Sequence, residues 1–209
     1  MNKIAEMQKM DYKAFQEYVK HLKKKNSIVL VEGKRKVKEE DKISILTLGE
    51  QLAEDFPDVI FRTGNAKGAD ELFAQGVSNI SPERLEFILP YKTHKKGNRI
   101  DKAKYYSLDE IKISAEIINL TKEISVKNRK IVDLYLSGAR NKFTMKAPYL
   151  LRDTLKVIGI EPIISKADFG IFYDNPENPL TGGTGYTIKV CKKNNIPVVT
   201  QEIWTNWIR

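Results

Sequence analysis

The stretch Val59-Ile60-Phe61-Arg62-Thr63-Gly64-Asn65-Ala66-Lys67-Gly68-Ala69-Asp70-Glu71 limits what this chain can fold into more than any other. An apolar run leads into two glycines spaced four apart. An acidic pair and the helical pattern Leu72, Phe73, Gly76, Val77 follow at once. The reading is a strand, a tight turn and a helix N-terminus. Glycine lets backbone N–H groups approach a ligand closely, and a helix N-terminus carries about half a positive charge. A phosphate or a ribose suits such a turn. The design recurs near the C-terminus, where 167–173 reads as a strand and Thr181-Gly182-Gly183-Thr184-Gly185-Tyr186-Thr187 opens another helix. Two glycine turns of this kind predict one nucleotide pocket built from both.

The remaining pattern supplies the frame. Residues 27–31 read as a strand, Glu32-Gly33-Lys34-Arg35 as a turn, and 41–56 as a helix with Ile45, Leu48, Leu52 and Phe56 on one stripe. A third strand covers 84–89 and stops at Pro90. This βαβαβ order predicts the α/β class: a Rossmann-like, doubly wound, mainly parallel sheet with helices on both faces. Residues 91–107 fit no period and read as a long loop beside a strand's carboxyl end, where α/β proteins place ligand contacts. Helices are expected over 108–120, 130–136, 145–157 and 184–194, and a last strand over 196–200. Ile4, Met7, Met10, Phe15, Tyr18, Val19 and Leu22 have amphipathic helical spacing. The chain therefore divides into an N-terminal helix within 1–26 and one domain over 27–209. The helix packs outside the domain or serves dimerisation, and a homo-oligomer is expected. Trp204 and Trp207 are expected to cap the core.

With 209 residues, 41% of them hydrophobic, the chain can fill the core of one α/β domain. The net charge of +9 favours an anionic partner. Many lysines sit in short runs such as Lys23-Lys24-Lys25 and Lys34-Arg35-Lys36, as on a solvated face, so weak nucleic-acid binding is the expectation. Cys191 is the sole cysteine, which excludes an internal disulfide and disfavours a zinc cluster. It shares a helical pattern with Tyr186, Ile188 and Val190 and reads as a packed thiol. No apolar run reaches membrane-span length and no signal-peptide core is present, so a cytoplasmic setting without membrane contact is expected. Neither a metal nor a cofactor is expected.

Four motifs in register carry a family resemblance. Arg62-Thr63-Gly64-Asn65-Ala66-Lys67-Gly68-Ala69-Asp70 is similar to the glycine turn of SLOG-type Rossmann domains. These include the DNA-processing protein A family, the LOG (lysine-decarboxylase-like) proteins and many small phage-borne proteins. Ile88-Leu89-Pro90-Tyr91 resembles the strand end of the phage-type members, and Ala139-Arg140-Asn141 their Arg-Asn turn. Ala167-Asp168, Gly182-Gly183-Thr184-Gly185-Tyr186-Thr187-Ile188 and Ile196-Pro197-Val198 resemble their closing block. The resemblance implies a ligand across the carboxyl edge of the sheet, touched by all three turns. Gly64, Gly68, Gly182, Gly183 and Gly185 would offer backbone donors, with Thr184 and Thr187 adding hydroxyls. Arg140, beside Asn141, would pair with a phosphate. Arg62, Thr63 and Asn65 would approach the base or sugar. Asp70 would accept from ribose hydroxyls, or merely supply N-terminal charge to its helix.

One departure bears on chemistry. Nucleotide-cleaving LOG enzymes carry a glutamate that falls, in this register, at Ile188. An isoleucine cannot stabilise an oxocarbenium ion or activate water. The implied function is binding of a nucleotide-derived small molecule, as when a phage-type, anti-defence protein captures a nucleotide signal, with no catalytic residue assigned. LOG-type glycosidic hydrolysis and a DNA-processing accessory that binds single-stranded DNA stand as alternatives.

Overall fold

The computed structural model describes residues 10–22 and 26–209. Six strands form one all-parallel sheet: β1 (Ser27–Gly33), β2 (Val59–Thr63), β3 (Leu85–Leu89), β4 (Lys104–Ser107), β5 (Phe169–Tyr173) and β6 (Val198–Thr200). Their spatial order is β4-β3-β2-β1-β5-β6. The chain builds outward from β1 in one direction, then crosses back to add β5 and β6 on the other side. The switch point therefore lies between β1 and β5, whose register pairs Glu32 with Phe172 and Gly33 with Tyr173. In open α/β sheets this is where a crevice opens, outside the carboxyl ends of the strands. The sheet order and helices on both faces define a Rossmann-like α/β layout.

Strand alternation sends successive side chains to opposite faces. Val29, Val31, Phe61 and Phe87 face one layer, built from α1 (Tyr12–His21), α2 (Glu39–Asp55), α3 (Ala69–Ile80) and the C-terminal segment. Ile28, Leu30, Ile60 and Ile88 face the other. That layer holds α4 (Ala115–Glu123), α5 (Val126–Leu136), α6 (Ala147–Ile158) and α7 (Gly182–Lys193). Residues buried on both faces give the central strands their near-continuous apolar runs.

Asp11 caps α1 by accepting from the Ala14 N–H at 2.8 Å. Phe15 of α1 stacks on Trp207 with ring centroids 4.9 Å apart. Trp207 Nε1 donates to Met10 O, and Trp204 Nε1 to Phe172 O, both at 2.9 Å. The two tryptophans thus cap the core as expected, and a last short helix, α8 (Gln201–Trp204), carries the first of them. Ile4 and Met7 of the expected N-terminal helix lie outside the described residues.

Two elements depart from the expectation. The helix expected over 108–120 spans Ala115–Glu123, after a single 3₁₀ turn at Leu108–Glu110. The segment 91–107 is not all loop, because it ends in β4, paired with β3 through Glu86↔Lys104 to Leu89↔Ser107. An edge strand of four half-polar residues has too short an alternation to announce itself, and Phe87 and Tyr105 stack at 4.7 Å to hold it. Among the described residues no helix is long and apolar enough to cross a membrane.

Candidate functional site

A cleft of about 540 Å³ opens at the switch point. The end of β1 supplies Glu32 and Gly33, and the following loop supplies Lys34, Arg35 and Lys36. Ala66 and Asp70 enter from the first glycine turn. Asp174, Asn175 and Glu177 follow β5, and Thr181, Gly182, Gly183 and Thr184 open α7. The back wall is Arg152, Asp153 and Lys156 from α6.

Packing explains why charges from α6 reach the cleft. The helix is buried along nearly its whole length, including Leu151, Thr154, Leu155 and Val157. Charged groups on such a helix must find partners. Lys156, 1% exposed, places Nζ 2.5 Å from Glu32 Oε2 and 2.9 Å from Asp153 Oδ1. Burial works against its ammonium, but Asp153 and Glu32 outweigh that and hold its pKa above the usual lysine value. Burial pushes the Glu32 carboxyl up to about 7, helped by the Asp70 and Asp153 charges and opposed by Lys156. Arg152 Nη1 donates to Gly64 O at 2.5 Å and Ile88 O at 3.3 Å, tying α6 to the ends of β2 and β3. Its Nε lies 3.0 Å from Asp153 Oδ1.

The floor is therefore acidic and the rim basic. Glu32, Asp70, Asp153 and Asp174 are all buried, against two buried cations, Arg152 and Lys156. Lys34, Arg35 and Lys36 stand at the mouth. Two carboxylate oxygens of the floor, Glu32 Oε1 and Asp174 Oδ1, have no hydrogen-bond partner. Their sister oxygens are engaged, Glu32 Oε2 by Lys156 and Asp174 Oδ2 by the Leu180 N–H at 2.8 Å.

The structure brings together only part of the residue set expected from sequence. Gly182, Gly183, Thr184 and Asp70 line the cleft. Gly182 has φ +64° and open space where a side chain would sit, and a Cβ at Gly183 would meet only Asp153 Oδ2, at 3.7 Å. Asp70 accepts from the N–H groups of Gly33 at 2.9 Å, Gly64 at 3.2 Å and Ala66 at 3.2 Å. It clips β1 to the first glycine turn, and its lone pairs are largely spent on backbone.

Arg62, Gly68, Gly185 and Thr187 have structural employment, whereas Thr63 Oγ1 and Asn65 Nδ2 are buried without a hydrogen-bond partner. Arg62 is fully buried and binds Glu86 through Nε at 3.1 Å and Nη2 at 2.8 Å. Its Nη1 donates to Lys156 O and Ser165 O. It cross-braces β2, β3 and the loop before β5, and does not reach the cleft. Thr63 and Asn65 are buried beside the turn but are not part of the cleft wall, Asn65 holding φ +56°. Gly68, at φ +89°, lets α3 approach the backbone of Lys34 and Arg35, so its missing side chain makes room for protein. Gly185 plays the same part against Leu180. Thr187 is buried and donates to Gly183 O at 3.1 Å.

Arg140 and Asn141 do not line this cleft. They sit in the turn after α5, away from the cleft wall. Arg140 is exposed, donates to Tyr135 O and Ala139 O, and lies over the Tyr135 ring at 4.1 Å. Asn141 Oδ1 accepts from Phe143 N and Thr144 N, closing a local turn. A local sequence match could not reveal that the β4-to-β5 crossover carries this turn to another part of the layer. The segment 91–107 contributes nothing to the cleft wall either.

Sequence reasoning missed Glu32, Arg152, Asp153 and Lys156 as site residues. The last three sit on a helix whose sequence is amphipathic, and only the burial of that helix on nearly every side brings its charges to the cleft.

Comparison with known proteins gives one structural likeness. The fold is similar to DNA processing protein A from Helicobacter pylori, a structure described for its single-stranded DNA binding mode. The match has a TM-score of 0.43 and 16% identity, over 87% of this chain and 67% of that one. No protein-family model and no curated protein match. A likeness at this level assigns neither ligand nor activity, and the Rossmann-like class stands on the sheet order itself.

Proposed function

We propose that the switch-point cleft binds a nucleotide-derived small molecule and holds it rather than converting it. The observation that carries this reading is the pairing of an open, positive-φ glycine at the start of α7 with an acidic floor in the same cleft. The first-turn N–H groups of α7 have no intrahelical acceptors, and Gly182 and Gly183 leave them uncovered. A phosphate would sit there, within reach of the Lys34–Lys36 rim. The sugar would point to the carboxylates below. A protein of this kind would sense or sequester a nucleotide signal. Ile188, where a LOG-type glutamate would fall, is buried in the core, so that position cannot serve the cleft whatever residue occupies it. Titration with purine and pyrimidine nucleoside monophosphates, read by the amide signals of Gly182 and Gly183, tests the reading. Specific shifts at those amides are expected, and their absence across the set would contradict it.

A second reading rests on Glu32. A buried carboxyl pushed up to about 7, with Asp174 in the same cleft, is a pair of the kind glycosidic hydrolysis uses. Liquid chromatography after prolonged incubation with nucleoside monophosphates separates the two. Binding alone gives no free base. A base peak that vanishes in Glu32→Gln would establish turnover.

A further inference from the structure

Two oxygens in the cleft floor are buried without a hydrogen-bond partner. Glu32 Oε1 and Asp174 Oδ1 are buried acceptors with no donor. A buried carboxylate oxygen left unpaired is costly, so each is a standing demand for a hydrogen-bond donor. The protein has no obvious way to meet it. Lys156 is committed to Glu32 Oε2 and to Asp153. The Leu180 N–H is committed to Asp174 Oδ2. A ligand entering the cleft can supply these donors.

The two acceptors belong to adjacent strand ends. β1 and β5 are parallel neighbours with Glu32 in register with Phe172, and Asp174 follows two residues later. By strand alternation Glu32 and Asp174 fall on the same side of the sheet, at adjacent strand ends. Both line the same cleft. Two acceptors in one cleft suit two donors on one small molecule. The terminal torsions of Glu and Asp are broad, so each carboxylate can adjust to a ligand in the cleft.

Asp70 and Asp153 are engaged within the protein through their other contacts. Asp70 already accepts from three backbone N–H groups. Asp153 Oδ1 is shared between Lys156 and Arg152.

We infer that Glu32 and Asp174 read the cis-diol of a ribose, so that the cleft selects ribo- over 2′-deoxyribo-ligands. This rests on the proposed phosphate site at α7, which fixes the sugar above the two carboxylates. Glu32 and Asp174 are then specificity-determining residues. Asp70, the acid that sequence alone suggests for this role, is a scaffold.

The test needs no knowledge of the base. Ribose 5-phosphate, 2-deoxyribose 5-phosphate and inorganic phosphate are titrated separately, with the amide signals of Gly182 and Gly183 as readout. Ribose 5-phosphate is expected to bind at least tenfold tighter than its 2-deoxy analogue. In Glu32→Gln and in Asp174→Ala the preference should shrink to threefold or less, while affinity for inorganic phosphate stays within twofold. Folding of each variant is confirmed by its melting curve, and the preference of the parent protein stands as a test even if a variant fails to fold. Equal binding of the two sugar phosphates would overturn the diol inference and leave the phosphate site standing. Failure of all three probes to shift the glycine amides would overturn both.

Discussion

Lys156 Nζ lies 2.5 Å from Glu32 Oε2, with both side chains buried beneath the cleft. The contact joins α6, on one face of the sheet, to the carboxyl end of β1. It places a titratable carboxyl where the sheet order opens its crevice. Asp153 shares the same ammonium at 2.9 Å, so Lys156 keeps a partner if Glu32 is removed.

The sign of the resulting pH dependence follows directly. Burial raises the Glu32 carboxyl from 4.5 to about 7. The folded state therefore holds this proton more tightly than the unfolded chain does. The stability that Glu32 contributes is fully present below about pH 4.5 and is lost as pH rises through 7. Glu32→Gln removes the titration. Its melting temperature, relative to the parent, should rise by several degrees between pH 5 and pH 8. A pH-independent difference between the two would show that Glu32 titrates as an ordinary carboxylate.

The two glycines of the second turn should separate binding from folding. Gly183→Val projects a branched side chain into the cleft, where only Asp153 Oδ2 is near. Nucleotide affinity should fall at least tenfold, about 1.4 kcal/mol, with a modest change in melting. Gly185→Val would collide with the Leu180 backbone and should lower the melting temperature instead. Calorimetry beside a melting curve distinguishes the two, and loss of stability in Gly183→Val equal to that in Gly185→Val would contradict the geometry.

Neither Arg62 nor Arg140 should behave as a ligand contact. Arg62→Ala strands the buried Glu86 carboxylate and two carbonyl oxygens, at a cost of about 3–5 kcal/mol. Arg140→Ala, exposed and outside the cleft, should leave nucleotide affinity within twofold and cost under about 1 kcal/mol. Denaturant melts and a binding titration check both. A tenfold loss of affinity in Arg140→Ala would return that turn to the site.

If the +9 charge is mostly a solvated surface, single-stranded DNA should bind weakly. Affinity should collapse between low and physiological salt as counterions are no longer released to advantage. Fluorescence anisotropy at two salt concentrations measures this. Tight binding that survives physiological salt would favour a nucleic-acid groove.

The frame was legible because its elements are long and strongly periodic. The parallel sheet follows from the βαβ rhythm and from apolar runs such as Ser27–Gly33 and Val59–Thr63. The turn at Gly182-Gly183-Thr184 was legible as part of a cleft wall because glycine density at a helix start has few other uses. Arg62, Gly68, Gly185 and Thr187 were not legible as scaffold. A glycine that admits a ligand and one that admits a neighbouring backbone look alike in sequence, and only Arg35 and Leu180 settle the matter. Glu32 lay at the end of β1, which runs two residues beyond the expected strand. Its importance comes from Lys156, 124 residues away, a pairing that no local pattern carries.

Mass spectrometry of small molecules released on heating the purified protein tests the central proposal most directly. We expect a phosphorylated nucleoside derivative from the parent protein, and its loss from Gly183→Val purified in parallel. A released ligand without phosphate, or equal retention by Gly183→Val, would contradict a nucleotide held at the start of α7.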